Sequence, residues 1–369
     1  MRALTITSLW IRWWLACAVA LGIACSNTAT SSDGNALTDD GSSATDSTGV
    51  VSTDDGNTAT SSDGNALTDD GSSATDSTGG VSTDVGNTAT DSDGNAPTDD
   101  DTVVDEGLRK SCKRGVAYGH HSAADMAALV PGVSWWYNWY FAPDSELGDA
   151  WRAFDIEFVP MRWGANYSIS AVSNGMPSDA KVILGFNEPN FYEQANLSAA
   201  DAAAMWPELS ALADERGLFL VSPAVNFCGG GCHDTDPINY LNEFFAACPG
   251  CRVDAIAMHI YVACDADSSG LQHNRAQWLI NHVEAYKAAF SHPLWLTEFA
   301  CSGHPSPEEQ RAFLVDAVAY LENEPRIARY AWFAGRADNM VNVDLLAADG
   351  ELTPLGRAYV DAPYTPCAD

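Results

Sequence analysis

The chain has 369 residues, enough for one large domain or two, and sets 50 acidic against 18 basic residues for a formal net charge of −32. Such a surface repels nucleic acid, whose binding rests on basic contacts, and gives anionic lipid nothing to hold. A neutral ligand is expected.

The first 25 residues read as an export signal. Arg2 and Arg12 flank a polar start, and "WWLACAVALGIA" supplies an apolar core of a dozen residues, short for a membrane span. It ends in "LGIAC", so a small residue precedes Cys25 as in a lipobox, with Gly22 an unusual choice three positions before the cysteine. Lipidation of Cys25 is expected, making the protein an exported surface lipoprotein; simple secretion is the alternative.

Residues 26–107 hold 18 acidic residues and no Lys, Arg or aromatic. "NTATSSDGNALTDDGSSATDSTGVVSTDDG" at 27–56 recurs almost unchanged at 57–86, and a truncated third copy begins at Asn87. No copy has enough Leu, Ile or Phe to offset the entropy of ordering it, so this is no solenoid. A disordered, self-repelling acidic stalk is expected. "DSDGNAPTDDD" lacks the ligand spacing and closing Glu of an EF-hand.

From Leu108 to the end the texture changes. Eight apolar runs follow: "GVAY" (115–118), "SWWYNW" (134–139), "EFVPMRW" (157–163), "KVILGF" (181–186), "LFLVSPAV" (218–225), "VDAIAMHIY" (253–261), "PLWLTEFA" (293–300) and "ARYAWFAG" (328–335). Several are too continuous for half-exposed strands and suit strands buried on both faces. Helical patterns lie between many of them. "LSAADAAAMWPELSALADE" opens with a Ser cap candidate; Ser306, Pro307 and Glu309 form a capping-box-like start; "LTPLGRAYVDA" closes the chain. Eight strand–helix units in one α/β domain, 108–369, predict a (β/α)₈ TIM barrel. The alternative, an open doubly wound sheet, usually carries a Gly-rich loop after its first strand; "GHHSAAD" is not one.

A TIM barrel keeps its active site at the C-terminal strand ends. Tyr118 ends the first run, Asn138-Trp139 the second, Arg162-Trp163 the third and Asn187-Glu188 the fourth. His259 and Tyr261 end the sixth, Thr297-Glu298-Phe299 the seventh and Trp332-Phe333 the eighth. Two carboxylates at one mouth suit glycoside hydrolysis, one protonating the leaving oxygen and the other attacking the anomeric carbon or activating water. The protonated one needs a pKa raised by burial and by the other's charge. Trp and Tyr suit sugars, because an apolar ring can stack on a pyranose. Trp136, Trp139, Trp163 and Trp332 are candidate platforms; Tyr118, Asn138 and Arg162 are further sugar-contact candidates. Asn187 is expected to bond the sugar 2-hydroxyl, Tyr261 to aim one carboxylate, and His259 to join the site.

"GFNEPN", "WLTEFA", "WWYNW", "PMRW", "CRVDAIAMHIY" and "YAWF" together resemble glycoside hydrolase family 128, over roughly 113–360. That resemblance implies an endo-β-1,3-glucanase of the retaining (β/α)₈ clan, with the Glu of "NEP", Glu188, as general acid/base and the Glu of "TEF", Glu298, as nucleophile. The insertions "NFCGGGCHDTD" and "VACDADSSG" depart from the pattern beside the cleft and leave the linkage open. A hydrolase of mannan or xylan and a non-catalytic glucan-binding protein are the alternatives. No cofactor is expected, and a monomer is.

"CGGGC" (228–232) and "CPGC" (248–251) have a zinc-ribbon-like interval. In a barrel, however, the first pair falls at the top and the second at the bottom. Export favours oxidation. The expected bridges are Cys228–Cys232, Cys248–Cys251, Cys264–Cys301 and Cys112–Cys367, and no metal.

Overall fold

The computed structural model describes residues 110–264 and 276–364. The export signal, Cys25, the repeat tract and Cys367 lie outside them. Elements follow in chain order: β1 (Arg114–Ala117), α1 (Ala123–Leu129), β2 (Trp135–Tyr137), a 3₁₀ helix (Ala150–Phe154), β3 (Glu157–Phe158), α2 (Ile169–Gly175), β4 (Val182–Leu184), α3 (Ala199–Arg216), β5 (Phe219–Val221), α4 (Pro237–Ala247), β6 (Ile256–Ala263), α5 (Gln277–Ala289), β7 (Leu294–Ser302), α6 (Pro307–Asn323), β8 (Ile327–Phe333) and α7 (Pro354–Val360). Each apolar run overlaps a strand.

The strands are all parallel. Six pair in the order β3-β2-β1-β8-β7-β6, and β4 pairs with β5. Single bridges join the two sheets: Met161 with Leu184, and Val221 with Ala255 and Val225 with Met258. Each strand therefore has two neighbours, as in a (β/α)₈ barrel. β3 is short because Pro160 has no N–H to give; it still accepts from the Leu184 N–H at 2.9 Å, and pairing resumes at Met161.

Two apolar clusters fill the fold. Ala117, Trp135, Tyr137, Met161, Leu184, Ala255, Ala257, Trp295 and Ala331 belong to the smaller one, which occupies the barrel lumen. Small Ala side chains leave room there for two indoles, 5.3 Å apart between ring centroids. The larger cluster lies between strands and helices and includes Val116, Trp136, Trp206, Phe244 and Trp332. Gly185 ends β4 where a Cβ would come within 2.8 Å of the Trp206 ring and 2.9 Å of Ser222 backbone, so only glycine lets α3 and β5 close on that strand.

Two helix starts match their sequence signals. Ser198 accepts from the Asp201 N–H before α3, and Ser306 and Glu309 form a reciprocal capping box before α6; Thr353, not singled out in the sequence, caps α7. Cys228–Cys232, Cys248–Cys251 and Cys264–Cys301 are disulfides, so the four zinc-ribbon-like sulfurs are not thiolate ligands. Cys112 is also disulfide-bonded; Cys367, its expected partner, is outside the described residues.

At the N-terminal end of β1, Arg114 is fully buried. Its guanidinium donates to Tyr330 Oη at 2.9 Å, Glu322 Oε1 at 2.9 Å and the carbonyl oxygens of Tyr359 and Pro363 at 2.7 and 3.0 Å. One side chain thus ties β1, α6, β8 and the end of the chain. Arg114→Met strands the buried Glu322 carboxylate without its cation. A loss on the order of 3–5 kcal/mol is expected in urea melts, and an unchanged midpoint would show that the ion pair contributes little.

Candidate active site

β4 delivers Glu188 through an unfavourable backbone. Its φ is +40°, in the left-handed region that non-glycine residues avoid. The Asn187 N–H donates to Trp163 O at 2.9 Å, the Glu188 N–H to Ala224 O at 2.8 Å, and the Phe191 N–H back to Glu188 O at 3.0 Å. Such a conformation costs on the order of 1–3 kcal/mol and persists only where its surroundings over-determine it. The carboxylate caps no turn. Glu188 Oε1 accepts from Asn226 Nδ2 at 3.0 Å and lies 2.9 Å from His259 Nδ1.

β7 delivers Glu298 through a bulge. Leu296 pairs with Met258, yet Glu298 pairs with His259, so Thr297 is one residue too many on β7. The extra residue turns Glu298 onto the lumen side that Trp295 occupies. Around Glu298, the Trp139 indole N–H donates to Oε1 at 2.7 Å, the Tyr137 hydroxyl lies 3.0 Å from the same oxygen, and the Tyr261 hydroxyl donates to Oε2 at 2.5 Å. Trp139, like Glu188, has a positive φ of 59°. An indole N–H can only donate, so Glu298 is built to be an acceptor.

His259 joins the two acids. Its Nδ1 is 3.5 Å from Glu298 Oε2 as well as 2.9 Å from Glu188. One carboxylate oxygen from each acid and a His259 nitrogen all lie within 4.8 Å of one another. Burial pushes Glu298 up from the ordinary carboxylate range and the Glu188 charge adds to it, against His259 and the hydrogen bonds from Tyr261 and Trp139. Burial pulls His259 down, but Glu298 and Glu188 outweigh it and leave the imidazole raised. Burial and the two acids push the Tyr137 and Tyr261 hydroxyls up, so both stay protonated donors.

The structure brings together Glu188, His259, Tyr261, Trp139 and Glu298; Asn187 directly precedes Glu188 and donates its side-chain amide to Gln194. Trp163 packs against both clusters at the mouth. Five other candidates sit elsewhere. Trp136 is fully buried against Phe158 and His121, and Trp332 is fully buried with its indole N–H on Val343 O at 2.8 Å, so neither ring can stack on a sugar. Arg162 points to α3, where it pairs with Glu208. Asn138 spends its side chain inside its own loop, on Ala142 O at 3.1 Å, Asp144 Oδ1 at 3.3 Å and the Tyr140 N–H at 3.2 Å. Tyr118 packs edge-on against His121, with ring centroids 4.7 Å apart, and under the Arg336 guanidinium at 5.9 Å.

Three neighbours escaped the sequence reading. Tyr137 shares the Trp139 face of β2 by simple alternation, a signal that was there to use. Phe333, not Trp332, reaches the site, edge-on to Trp139 and Tyr261 at 5.8 and 5.6 Å. Asn226 directly follows the fifth apolar run, and its place at a strand end was the signal for it.

A family profile described as "Glycosyl hydrolase catalytic core" matches residues 115–359. A subgroup II family 128 endo-β-1,3-glucanase from Sorangium cellulosum is 58% identical, with a TM-score of 0.65 over 69% of this chain and 99% of that one. The chain belongs to glycoside hydrolase family 128. A subgroup I endo-β-1,3-glucanase from Amycolatopsis mediterranei, solved with laminaritriose, is 29% identical with a TM-score of 0.55, over 68% of this chain and 100% of that one. The Alkali-sensitive linkage protein 1 of Schizosaccharomyces pombe is 31% identical over 264 residues, or 68% of this chain. The chain spans 44% of that protein's length. The chain therefore carries a glycosyl hydrolase catalytic core, and both acids lie within the matched residues.

Proposed function

We propose that this hydrolase is an exported, retaining endo-β-1,3-glucanase that works by double displacement. The observation carrying the mechanism is the acids' proximity, with an oxygen of each within 4.8 Å. Retaining enzymes hold their carboxyls about 5–5.5 Å apart, whereas inverting ones leave about 6.5–9.5 Å for a water. Glu298, aimed by Trp139, Tyr137 and Tyr261, attacks the anomeric carbon as Glu188 gives its proton to the departing glycosidic oxygen. Glu188, now a carboxylate, takes a proton from water; the water oxygen displaces Glu298 and restores both acids. His259 lies against both carboxylates and offsets their mutual repulsion as the proton leaves and returns.

The glucan assignment rests on the Sorangium cellulosum and Amycolatopsis mediterranei enzymes, both endo-β-1,3-glucanases, the second seen with laminaritriose. Asn187 supports a sugar ligand. Its Nδ2 donates to Gln194 Oε1 at 3.2 Å, while its buried Oδ1 has no hydrogen-bond partner among the described residues and is free to accept from a hydroxyl. Export, a lipid on Cys25 and monomeric action belong to the same proposal; the three described disulfides fit an oxidising compartment.

Laminarin digestion followed by proton NMR tests the proposal. The first reducing ends should be β-anomers that relax to the equilibrium mixture. Initial α-anomers would replace double displacement by a single inversion, and cleavage of mannan or xylan with laminarin intact would reassign the substrate.

A further inference from the structure

Tyr192 follows Glu188 by four residues, a reach of at most roughly 14 Å. Its side chain is 50% exposed. The loop that holds it is fixed by other means. The Phe191 N–H donates to Glu188 O at 3.0 Å, Ala195 N–H to Asn187 O at 3.2 Å and Leu197 N–H to Pro189 O at 2.8 Å. Phe191 also forms an antiparallel bridge with Cys232 of the β5–α4 loop. Across the same seam, the Asn190 amide donates to Asn226 O at 2.8 Å and Asp234 O at 3.0 Å, and the His233 N–H donates to Asn190 O at 2.8 Å. The Cys228–Cys232 disulfide closes that second loop on itself.

The two loops are thus zipped together beside the catalytic acid, yet nothing in the zipper needs an aromatic at 192. The ring instead meets another exposed side chain. His233 lies 4.8 Å away, nearly perpendicular at 79°, and is itself fixed by Asn196 Oδ1 at 2.8 Å from Nε2. A large apolar ring on a hydrogen-bonded loop, left half in water, gains little from the core. It does suit a neutral sugar, which offers C–H faces to an aromatic plane and hydroxyls to the Tyr tip.

We propose that Tyr192, braced by His233 and the disulfide-closed loop 226–236, is the platform of an outlying glucan subsite that sets preference for longer chains. The proposal rests on the β-1,3-glucan reading above. A chain too short to reach Tyr192 ignores it; a longer chain lies across it and is positioned for cleavage.

Kinetics on laminaritriose and laminarihexaose separate the two. Tyr192→Ala should lower kcat/KM on laminarihexaose about tenfold, the loss of one stacking contact, and change which of its bonds is cut. Laminaritriose turnover should stay at the wild-type rate, and Tyr192→Phe should keep both activities. Equal losses on both lengths, or an unchanged hexaose product pattern, would overturn the platform. Wild-type enzyme inert on both oligosaccharides would instead overturn the glucan reading and the subsite with it.

Discussion

Glu298→Gln is expected to remove turnover, by on the order of 10⁴–10⁶-fold in kcat, the scale seen when a member of a catalytic unit is deleted. The fold should survive. Trp139 can only donate, so the new amide must turn its oxygen toward Trp139 and Tyr137 and its NH₂ toward Tyr261, whose hydroxyl can rotate to accept. Each buried partner keeps a hydrogen bond, and the carboxyl that burial had raised is gone. The variant should therefore melt at or above the wild-type temperature while failing to cleave laminarin. Azide distinguishes the role from mere importance. With Glu298→Ala, azide can enter the emptied space and attack the anomeric carbon from the nucleophile's side, giving an α-glycosyl azide. A β-azide from that variant, or activity within tenfold of wild type, would strip Glu298 of the nucleophile's part.

The barrel was legible because its signals are local. Eight apolar runs, two helix caps and the spacing of strand and helix all agree, and no long-range knowledge is needed to count them. The site was legible only in part, and the errors share one cause. Choosing residues near a strand end says nothing about which face they occupy. On β2, alternation puts Trp135, Tyr137 and Trp139 inside and Trp136 and Asn138 outside. On β8 it puts Phe333 inside and Trp332 outside; after β3 it separates Trp163 from Arg162. Reading period two through to the mouth would have exchanged Trp136 for Tyr137 and Trp332 for Phe333. Glu298 is the reverse case. Strict alternation from Trp295 points Thr297 inward, and the bulge that corrects this leaves no mark in composition. That acid was found by its motif. The left-handed backbone at Glu188 was equally hidden, since Glu is a poor choice for a positive φ.

Glu188→Ala should lower kcat on laminarin by on the order of 10²–10⁴-fold, the usual share of general acid–base catalysis. The deficit should depend on the leaving group. A sugar alkoxide cannot depart unprotonated, so polysaccharide cleavage stalls at the first step. An aryl laminarioside with an acidic phenol needs no proton, so Glu298 can still displace it. The glycosyl ester then accumulates because no base remains to activate water, and phenol appears as a burst of one equivalent followed by a slow phase. Azide needs no deprotonation and fits where the carboxyl stood, beside Asn226 and His259. It should quicken the slow phase and give a β-glycosyl azide, of opposite configuration to the Glu298→Ala product. His259 Nδ1 also lies 3.5 Å from Glu298 Oε2, so the nucleophile keeps that neighbour in the variant. No burst and no response to azide would together show that Glu188 is not the proton donor, and that the bond beside it is broken by some other group.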